Sequence, residues 1–142
     1  MNEAGIDTGQ MWVAESNFAS QGGWAAAKEL LASNYPFTAV FCANDEMAVG
    51  ALSYFHGAGV DVPGAVSVHG YDDIESARFT VPRLSSVHIP WNEMAESGLN
   101  LLLNRCYGLA RPVVSQFPIH VTMRASVAAA RSPLPRRASV CA

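Results

Sequence analysis

The amino-acid sequence predicts an α/β fold with an open parallel sheet flanked by helices, and three of its features lead to that prediction. Short apolar runs alternate with amphipathic stretches of roughly 10 to 15 residues, the pattern of strand–helix–strand units. One run, residues 37–43, is apolar and β-prone, as in strands buried on both faces of a parallel sheet. The chain has 142 residues, half of them apolar, which is enough for a single hydrophobic core.

The strands and helices are assigned in chain order from their periodicity. Apolar runs predict strands at residues 11–14, 37–43, 66–71, 84–89 and 117–123. Apolar residues at helical spacing predict helices at 21–32, 46–56 and 92–107, with a short helical piece at 74–79. Ser20 is a candidate N-cap for the first helix and Asn44 or Asp45 for the second, while the glycine-rich segment 57–59 ends the second helix.

Acidic and basic residues are unevenly distributed along the chain. Residues 1–110 contain all 12 Asp and Glu residues and only four of the 9 Lys and Arg residues, so this part is acidic. An acidic surface repels phosphate, which argues against a nucleic-acid-binding surface there. Residues 126–142 are basic and rich in Pro, Ala and Ser, and they predict a disordered tail rather than a nucleic-acid-binding arm.

Signals for export, membrane insertion and metal binding are missing from the sequence. It has no apolar run of about 18 residues, and it starts with an acidic, polar segment, so we expect a cytoplasmic protein with no membrane partner. The three cysteines, Cys42, Cys106 and Cys141, include no CxxC pair. We therefore expect reduced thiols, with neither a zinc site nor a disulfide framework.

Polar and aromatic residues follow the predicted strands where a parallel sheet has its ligand crevice. Asn44 and Asp72 supply a short amide and a short carboxylate, which suit the hydroxyl groups of a polyol. Phe18 and Trp91 are placed to stack on the apolar face of a sugar ring. Two structural alternatives remain open, because Asn44 is also suited to cap a helix and Asp72-Asp73 to form a turn. Asp73 should point to the opposite face and serve as an internal control.

No familiar catalytic signature occurs in the chain, so we predict no catalytic residues and no cofactor. The sequence lacks a GxSxG elbow, a GxxxxGK[ST] phosphate loop, a GxGxxG loop after a strand and an HExxH motif. Its four histidines lie in strand-like segments or at a helix end, where packing roles are common. His69 and His88 are the one pair that neighbouring strands would bring close, but the pair lacks a nucleophile or a third metal ligand.

Two stretches of the sequence resemble a known family. The run FTAVFCANDEMAVGAL, residues 37–52, and the run GVDVPGAVSVHGYDDIESARFTVPRLSSVHIP, residues 59–90, look like the effector-binding domain of the lactose/galactose repressor (LacI/GalR) family of bacterial transcription regulators. They are most similar to its galactose and purine repressor branch. The motifs ANDxMAxGAL and GYDD are specific, and the resemblance extends over about residues 1–125.

This resemblance implies a type I periplasmic-binding-protein-like fold, of which the chain matches only the C-terminal lobe, residues 1–125. Residues 92–110 would then form a helix that packs on an N-terminal lobe not present in this sequence. Family members form homodimers and bind DNA through a helix-turn-helix module that this sequence also lacks. A small sugar or purine binds between their lobes and changes their affinity for the operator. The family's effector contacts correspond to Phe18, Asn44, Asp72 and Trp91 here.

The favoured interpretation is therefore the effector-binding part of a sugar-responsive repressor, without catalytic activity, for a monosaccharide such as galactose. The alternative is a free-standing sugar-binding protein of the periplasmic type. The polar N-terminus and the repressor-like GYDD segment argue against that alternative. A small α/β hydrolase is a third and weaker hypothesis.

Overall fold

A mixed sheet with helices at its side organises the chain in the computed structural model, which describes residues 9, 11–33 and 35–129. The elements in order are α1 (Ser20–Ala32), β1 (Ala39–Phe41), α2 (Asp45–Gly57), β2 (Ser67–Asp72), a 3-10 helix (Glu75–Arg78), β3 (Ser85–His88), α3 (Trp91–Tyr107) and β4 (His120–Thr122). Each of these elements was predicted within a few residues. The α/β class with an open sheet flanked by helices is confirmed, but the sheet is mixed and not wholly parallel, because the last strand enters it in the opposite direction.

The strands lie in the order β1-β2-β3-β4. β2 pairs in parallel with both β1 and β3, whereas β4 runs antiparallel to β3. Side chains of α3 bond to successive residues of a returning segment, Ser97 to Val114, Asn100 to Pro112 and Asn104 to Arg111. The chain is thereby led back to the edge that it left, and it enters the sheet in the reverse direction. The start of β4 consequently lies at the same edge as the carboxyl ends of β1, β2 and β3.

The hydrophobic core lies between α2 and one face of the sheet. Phe55 of α2 is fully buried, as are Val68 of β2 and Leu84 before β3. α1 packs on α2, and their backbones come close where each helix has a glycine. A Cβ atom at Gly23 would collide with the backbone of Met47, so this helix pair depends on the absence of a side chain there.

α3 is the exception, because its apolar residues remain largely exposed. The leucines at positions 99, 101 and 102 are all exposed, and the buried residues of α3 are the polar Ser97 and Asn100. These two polar residues contact the returning segment 111–114. The prediction that this helix packs on another lobe concerns residues outside this chain and stays a prediction.

The structure corrects two predicted boundaries. Residues 11–14 form no strand, because a strand needs a hydrogen-bonded neighbour and β1 pairs only with β2 among the described residues. The lobe also continues past residue 125. Ser126 is fully buried. Its hydroxyl donates to Val68 O at 2.6 Å and accepts from Ser85 N at 2.8 Å. The predicted tail therefore cannot start at residue 126. Residues 130–142 lie outside the described residues, and their predicted disorder stays a prediction.

Candidate functional site

The carboxyl edge of the sheet carries the residues singled out from the sequence. Asp72 is the last residue of β2, and in the register it faces His88, the last residue of β3. Trp91 follows three residues later as the first residue of α3. Asn44 lies between the end of β1 and the start of α2. All three positions thus lie at strand ends, as the carboxyl-end rule for parallel sheets predicts.

Asn44 takes the capping role that the sequence left open, and its contact with a ligand stays a prediction. Its Oδ1 accepts a hydrogen bond from Met47 N at 2.9 Å, which caps α2. Its Nδ2 donates to Phe18 O at 2.9 Å. The amide therefore fixes the loop before α1 against the start of α2, and it brings two of the four predicted residues into direct contact.

Phe18 has a backbone conformation that is uncommon for an aromatic residue. Its φ is +60°, in the left-handed region, and its side chain is 63% exposed. Trp91 is 53% exposed at the start of α3. Two exposed aromatic rings thus lie at the same edge as the polar groups, although aromatic side chains are normally stabilised by burial.

The turn after β2 is strained at both of its aspartates. Asp72 has a φ of 111° and Asp73 a φ of 55°, and residues other than glycine rarely adopt positive φ. Strain of this kind persists where surrounding contacts enforce it, and it is concentrated at functional sites. Asp72 is half-buried, and burial together with the nearby Asp45 carboxylate raises its pKa above the ordinary value.

Asp73 is not the neutral control that the sequence suggested, because its side chain is bonded within the lobe. Its carboxylate accepts from the Arg124 guanidinium and makes a 3.1 Å contact with Nδ1 of His88. The Thr122 hydroxyl lies at 3.4 Å. Burial tends to raise the pKa of Asp73, but the hydrogen bonds from Arg124 and His88 prevail and hold it below the ordinary value. Asp73 is a structural residue that ties β2 to β3 and to the segment after β4.

The histidines pair differently from the prediction. His69 stacks on Phe41, with ring centroids 5.5 Å apart, and His88 lies against His120 at 4.7 Å. His69 faces Ser85 in the β2–β3 register, so it is three positions from His88 along the strand. Within residues 9, 11–33 and 35–129, no cluster of three or more His, Cys, Asp or Glu side chains is arranged to hold a metal ion.

Sequence reasoning missed the buried Asp45, which lies next to Asn44. Its side chain is fully buried, and its two carboxylate oxygens accept from Ser86 Oγ at 2.6 Å and from Ile74 N at 2.9 Å. Burial raises the pKa of this carboxyl, and the two hydrogen bonds oppose that rise. The Asp of the AND motif was the available signal, but capping gave it a sufficient local explanation.

Cys42 follows β1 at the same edge, and its thiol is buried. Burial, with a smaller effect of the Asp45 charge, raises the pKa of this thiol to about 12. A thiol with so high a pKa is a poor nucleophile and a poor metal ligand at neutral pH.

Comparison with known proteins gives this geometry a family. Residues 1–127 match the family model described as periplasmic binding protein-like domain. The chain belongs to this family. Its relatives place it among the effector-binding domains of LacI/GalR regulators, as the motifs of residues 37–52 and 59–90 indicated.

Three relatives illustrate this placement. The HTH-type transcriptional repressor PurR of Salmonella newport is 39% identical over 105 residues, which make up 74% of this chain and 31% of that protein. The structure of a LacI-family transcriptional regulator from Burkholderia phymatum has a TM-score of 0.86 at 48% identity, covering 90% of this chain and 46% of the other. A LacI-family regulator from Enterococcus faecium, solved with bound ribose, has a TM-score of 0.78 at 29% identity, covering 94% and 48%.

The coverage shows how much of such a protein this chain represents. It spans about a third of the length of the curated relatives and less than half of each of these two solved structures. The relatives are named as transcriptional regulators, and their homology supports a ligand-binding regulatory domain. Among the described helices, none is long and apolar enough to cross a membrane.

Proposed function

We propose that this chain is the effector-binding part of a cytoplasmic transcriptional repressor, that it is not an enzyme, and that its effector is a monosaccharide such as galactose. The observation that carries the proposal is the arrangement at the carboxyl edge. A half-buried carboxylate, a half-buried amide and two exposed aromatic rings occur at this edge, in backbone that is strained at Phe18 and Asp72.

The proposed contacts follow from the hydrogen-bonding capacity left at this edge. Asp72, when ionised, accepts hydrogen bonds from two neighbouring hydroxyl groups. Asn44 uses one N–H on Phe18 O and one lone pair on Met47 N, which leaves one donor and one acceptor for a ligand. Phe18 and Trp91 supply flat apolar surfaces, and a pyranose has apolar C–H faces that stack on such rings.

The relatives support a regulator more than a free-standing binding protein. One LacI-family relative was solved with bound ribose, a monosaccharide, and the relatives' names describe transcriptional regulators. In the proposed mechanism, the full-length protein is a homodimer, and in each protomer the ligand is enclosed between this lobe and a second lobe of the same protomer. Closure of the lobes then changes the affinity for operator DNA, which a separate module of the full-length protein contacts.

The proposal is tested by titrating the 15N-labelled chain with D-galactose, D-ribose and D-glucose, observed by two-dimensional NMR. We expect saturable shift changes at the amides of residues 18, 44, 72 and 91 with an apparent Kd in the millimolar range, because one lobe offers half of a cleft. Asp72→Ala should weaken binding about tenfold, since hydrogen bonds to a charged group contribute about 1.5–3 kcal/mol.

Asp61→Ala is the matched control, because Asp61 is an exposed aspartate in the loop that precedes β2, at the opposite edge of the sheet. It should leave the titration unchanged. The absence of saturable shifts with every sugar, or equal weakening by Asp61→Ala and Asp72→Ala, would contradict the proposal.

A further inference from the structure

We propose that Asp45 is the positioning residue of this site, holding the turn that presents Asp72 to the ligand. The inference rests on the proposed function for its ligand, but its structural basis is independent of any ligand. Asp45 is the first residue of α2, whereas the turn that it holds follows β2, 29 residues further along the chain.

The first contact acts directly on the backbone of the turn. Asp45 Oδ2 accepts the Ile74 N–H at 2.9 Å, two residues after Asp72. A backbone N–H bonded to a buried carboxylate is a charge-assisted hydrogen bond, about twice as strong as a neutral one. This bond fixes the exit of the turn at a defined distance from the start of α2.

The second contact acts through Ser86 on Asp73, the residue between Asp72 and Ile74. Asp45 Oδ1 accepts the hydroxyl proton of Ser86 at 2.6 Å, and Ser86 Oγ in turn accepts the Asp73 N–H at 3.1 Å. Both Asp45 and Ser86 are fully buried, so water does not compete for these bonds. The two consecutive N–H groups that follow Asp72 are therefore both held, directly or indirectly, by one carboxylate.

This bonding accounts for the strain of the turn. Positive φ at two consecutive aspartates is unfavourable and needs contacts that enforce it. Gly70 makes the enforcing contact possible, because a Cβ atom at that position would collide with Asp45 Oδ1. Gly70 of the GYDD motif therefore leaves room for Asp45 of the AND motif, and Asp45 holds the backbone at the two aspartates of the GYDD motif.

Asp45 and its neighbour Asn44 divide the work at the site. Asn44 holds the backbone of Phe18, and Asp45 holds the backbone after Asp72. Two adjacent residues at the start of α2 therefore set the spacing between a stacking ring and a hydroxyl-binding carboxylate. Asp45 is buried, so we assign it no contact with the ligand.

The test follows amide hydrogen exchange and sugar affinity in the full chain, in three variants of the bonded residues and in one control variant. In Asp45→Ala, the amides of Ile74 and Asp73 should exchange at least about tenfold faster, because each loses its acceptor or the group that orients it. Asp45→Asn should have a smaller effect, since its one carboxamide oxygen can take the place of Oδ2 and accept from Ile74 N, with the amide nitrogen towards Ser86 Oγ. Ser86→Ala should release Asp73 more than Ile74. Galactose affinity should fall in the same order as the exchange of Ile74 rises.

Two comparisons separate positioning from general stability. The Val68 amide, bonded to Ser126 O at 2.8 Å, reports on the body of the lobe and should keep its exchange rate in Asp45→Asn and Ser86→Ala. Glu75→Gln makes the same carboxylate-to-amide change as Asp45→Asn at an exposed position just after the turn, and it should change neither exchange nor affinity. Asp45→Asn should also lower the pKa of Asp72, measured by 13C NMR, because it removes a neighbouring negative charge.

The outcomes distinguish this inference from the proposed function. If Ile74 and Asp73 exchange as in the wild type in Asp45→Asn and Ser86→Ala, or if Val68 is released equally, positioning by Asp45 is wrong even where galactose binds. If no sugar shifts the wild-type spectrum, the proposed function is wrong. The exchange data alone then decide whether Asp45 holds the turn.

Discussion

The body of the lobe buries its apolar residues, whereas the α3 arm leaves its own largely exposed. In the body, which comprises α1, α2 and the sheet, Phe55 is 0% exposed between α2 and β2. In the arm, α3 and the returning segment 108–117, Leu102 is 58% exposed. The arm is instead held by side-chain bonds from Ser97, Asn100 and Asn104 to the returning backbone.

This difference shows that similar local patterns produce different burial. Both α2 and α3 are amphipathic, but α2 packs on β2, whereas the buried residues of α3 are polar and contact the returning segment. Exposed apolar surface of this kind is typical of an interface with another structural unit. The contrast between body and arm is therefore open to direct measurement.

The largest effect should come from removing the central ring of the body. Phe55→Ala should lower the free energy of unfolding by about 3–5 kcal/mol, because the ring is fully buried and the cavity cannot collapse completely. Leu102→Ala in the arm should change it by less than about 0.5 kcal/mol. Urea denaturation followed by circular dichroism measures both values. Similar losses for the two variants would show that the arm is as well packed as the body.

The next largest effect concerns the ion pair between Asp73 and Arg124, which joins the turn after β2 to the segment after β4. Asp73→Ala should destabilise the chain by about 3 kcal/mol, because it leaves the Arg124 guanidinium largely buried without its partner. Urea denaturation at pH 7 measures this loss, with the exposed Asp61→Ala as control.

The same carboxylate predicts a pH dependence with a definite sign. The pKa of Asp73 is lower in the folded state than its ordinary value, so its stabilising contribution is present above about pH 4 and is lost as the pH falls further. The difference in stability between wild type and Asp73→Asn should consequently shrink between about pH 5 and pH 2. A constant difference over that range would show that the charge of Asp73 contributes little.

A smaller effect should separate the polar side of the arm from the body. Ser97→Ala removes a hydroxyl that donates to Val114 O and accepts from Val114 N, both at 2.7 Å. The loss should be about 1 kcal/mol and local, because the bond is within the arm. Hydrogen exchange at Val114 should accelerate while exchange at Val68 stays constant. Acceleration at both amides would indicate that arm and body unfold as one unit.

The smallest effect on folding, with a clear effect on association, should come from the apolar side of the arm. Replacing Leu101 and Leu102 by Glu should alter the free energy of unfolding by less than about 0.5 kcal/mol for each residue, since both are exposed. Binding of the dye ANS and the average mass measured by light scattering should both fall relative to wild type. Unchanged values would show that this surface does not drive self-association.

Much of the fold could be predicted from the sequence because its signals are local. The strands β2 and β3 and the helices α1, α2 and α3 were placed within a few residues from apolar spacing and glycine positions. The carboxyl-end rule also gave Asn44, Asp72 and Trp91 as edge residues without knowledge of any contact. Phe18, the aromatic residue before the first helix, was placed at the same edge.

The remaining features depend on contacts between distant parts of the chain, which a local pattern does not contain. Asp45 meets Ile74 29 residues away, and Asp73 meets Arg124 51 residues away. The inclusion of Ser126 in the body, the reversed direction of β4 and the unpaired segment 11–14 likewise depend on where the chain returns to the sheet. The sequence by itself determined which residues reach the edge of the sheet. Only the tertiary structure decided that Asp73 forms the ion pair with Arg124 and that Asp45 is fully buried and bonded to Ile74, because burial and hydrogen-bond partners assign different roles to chemically identical side chains.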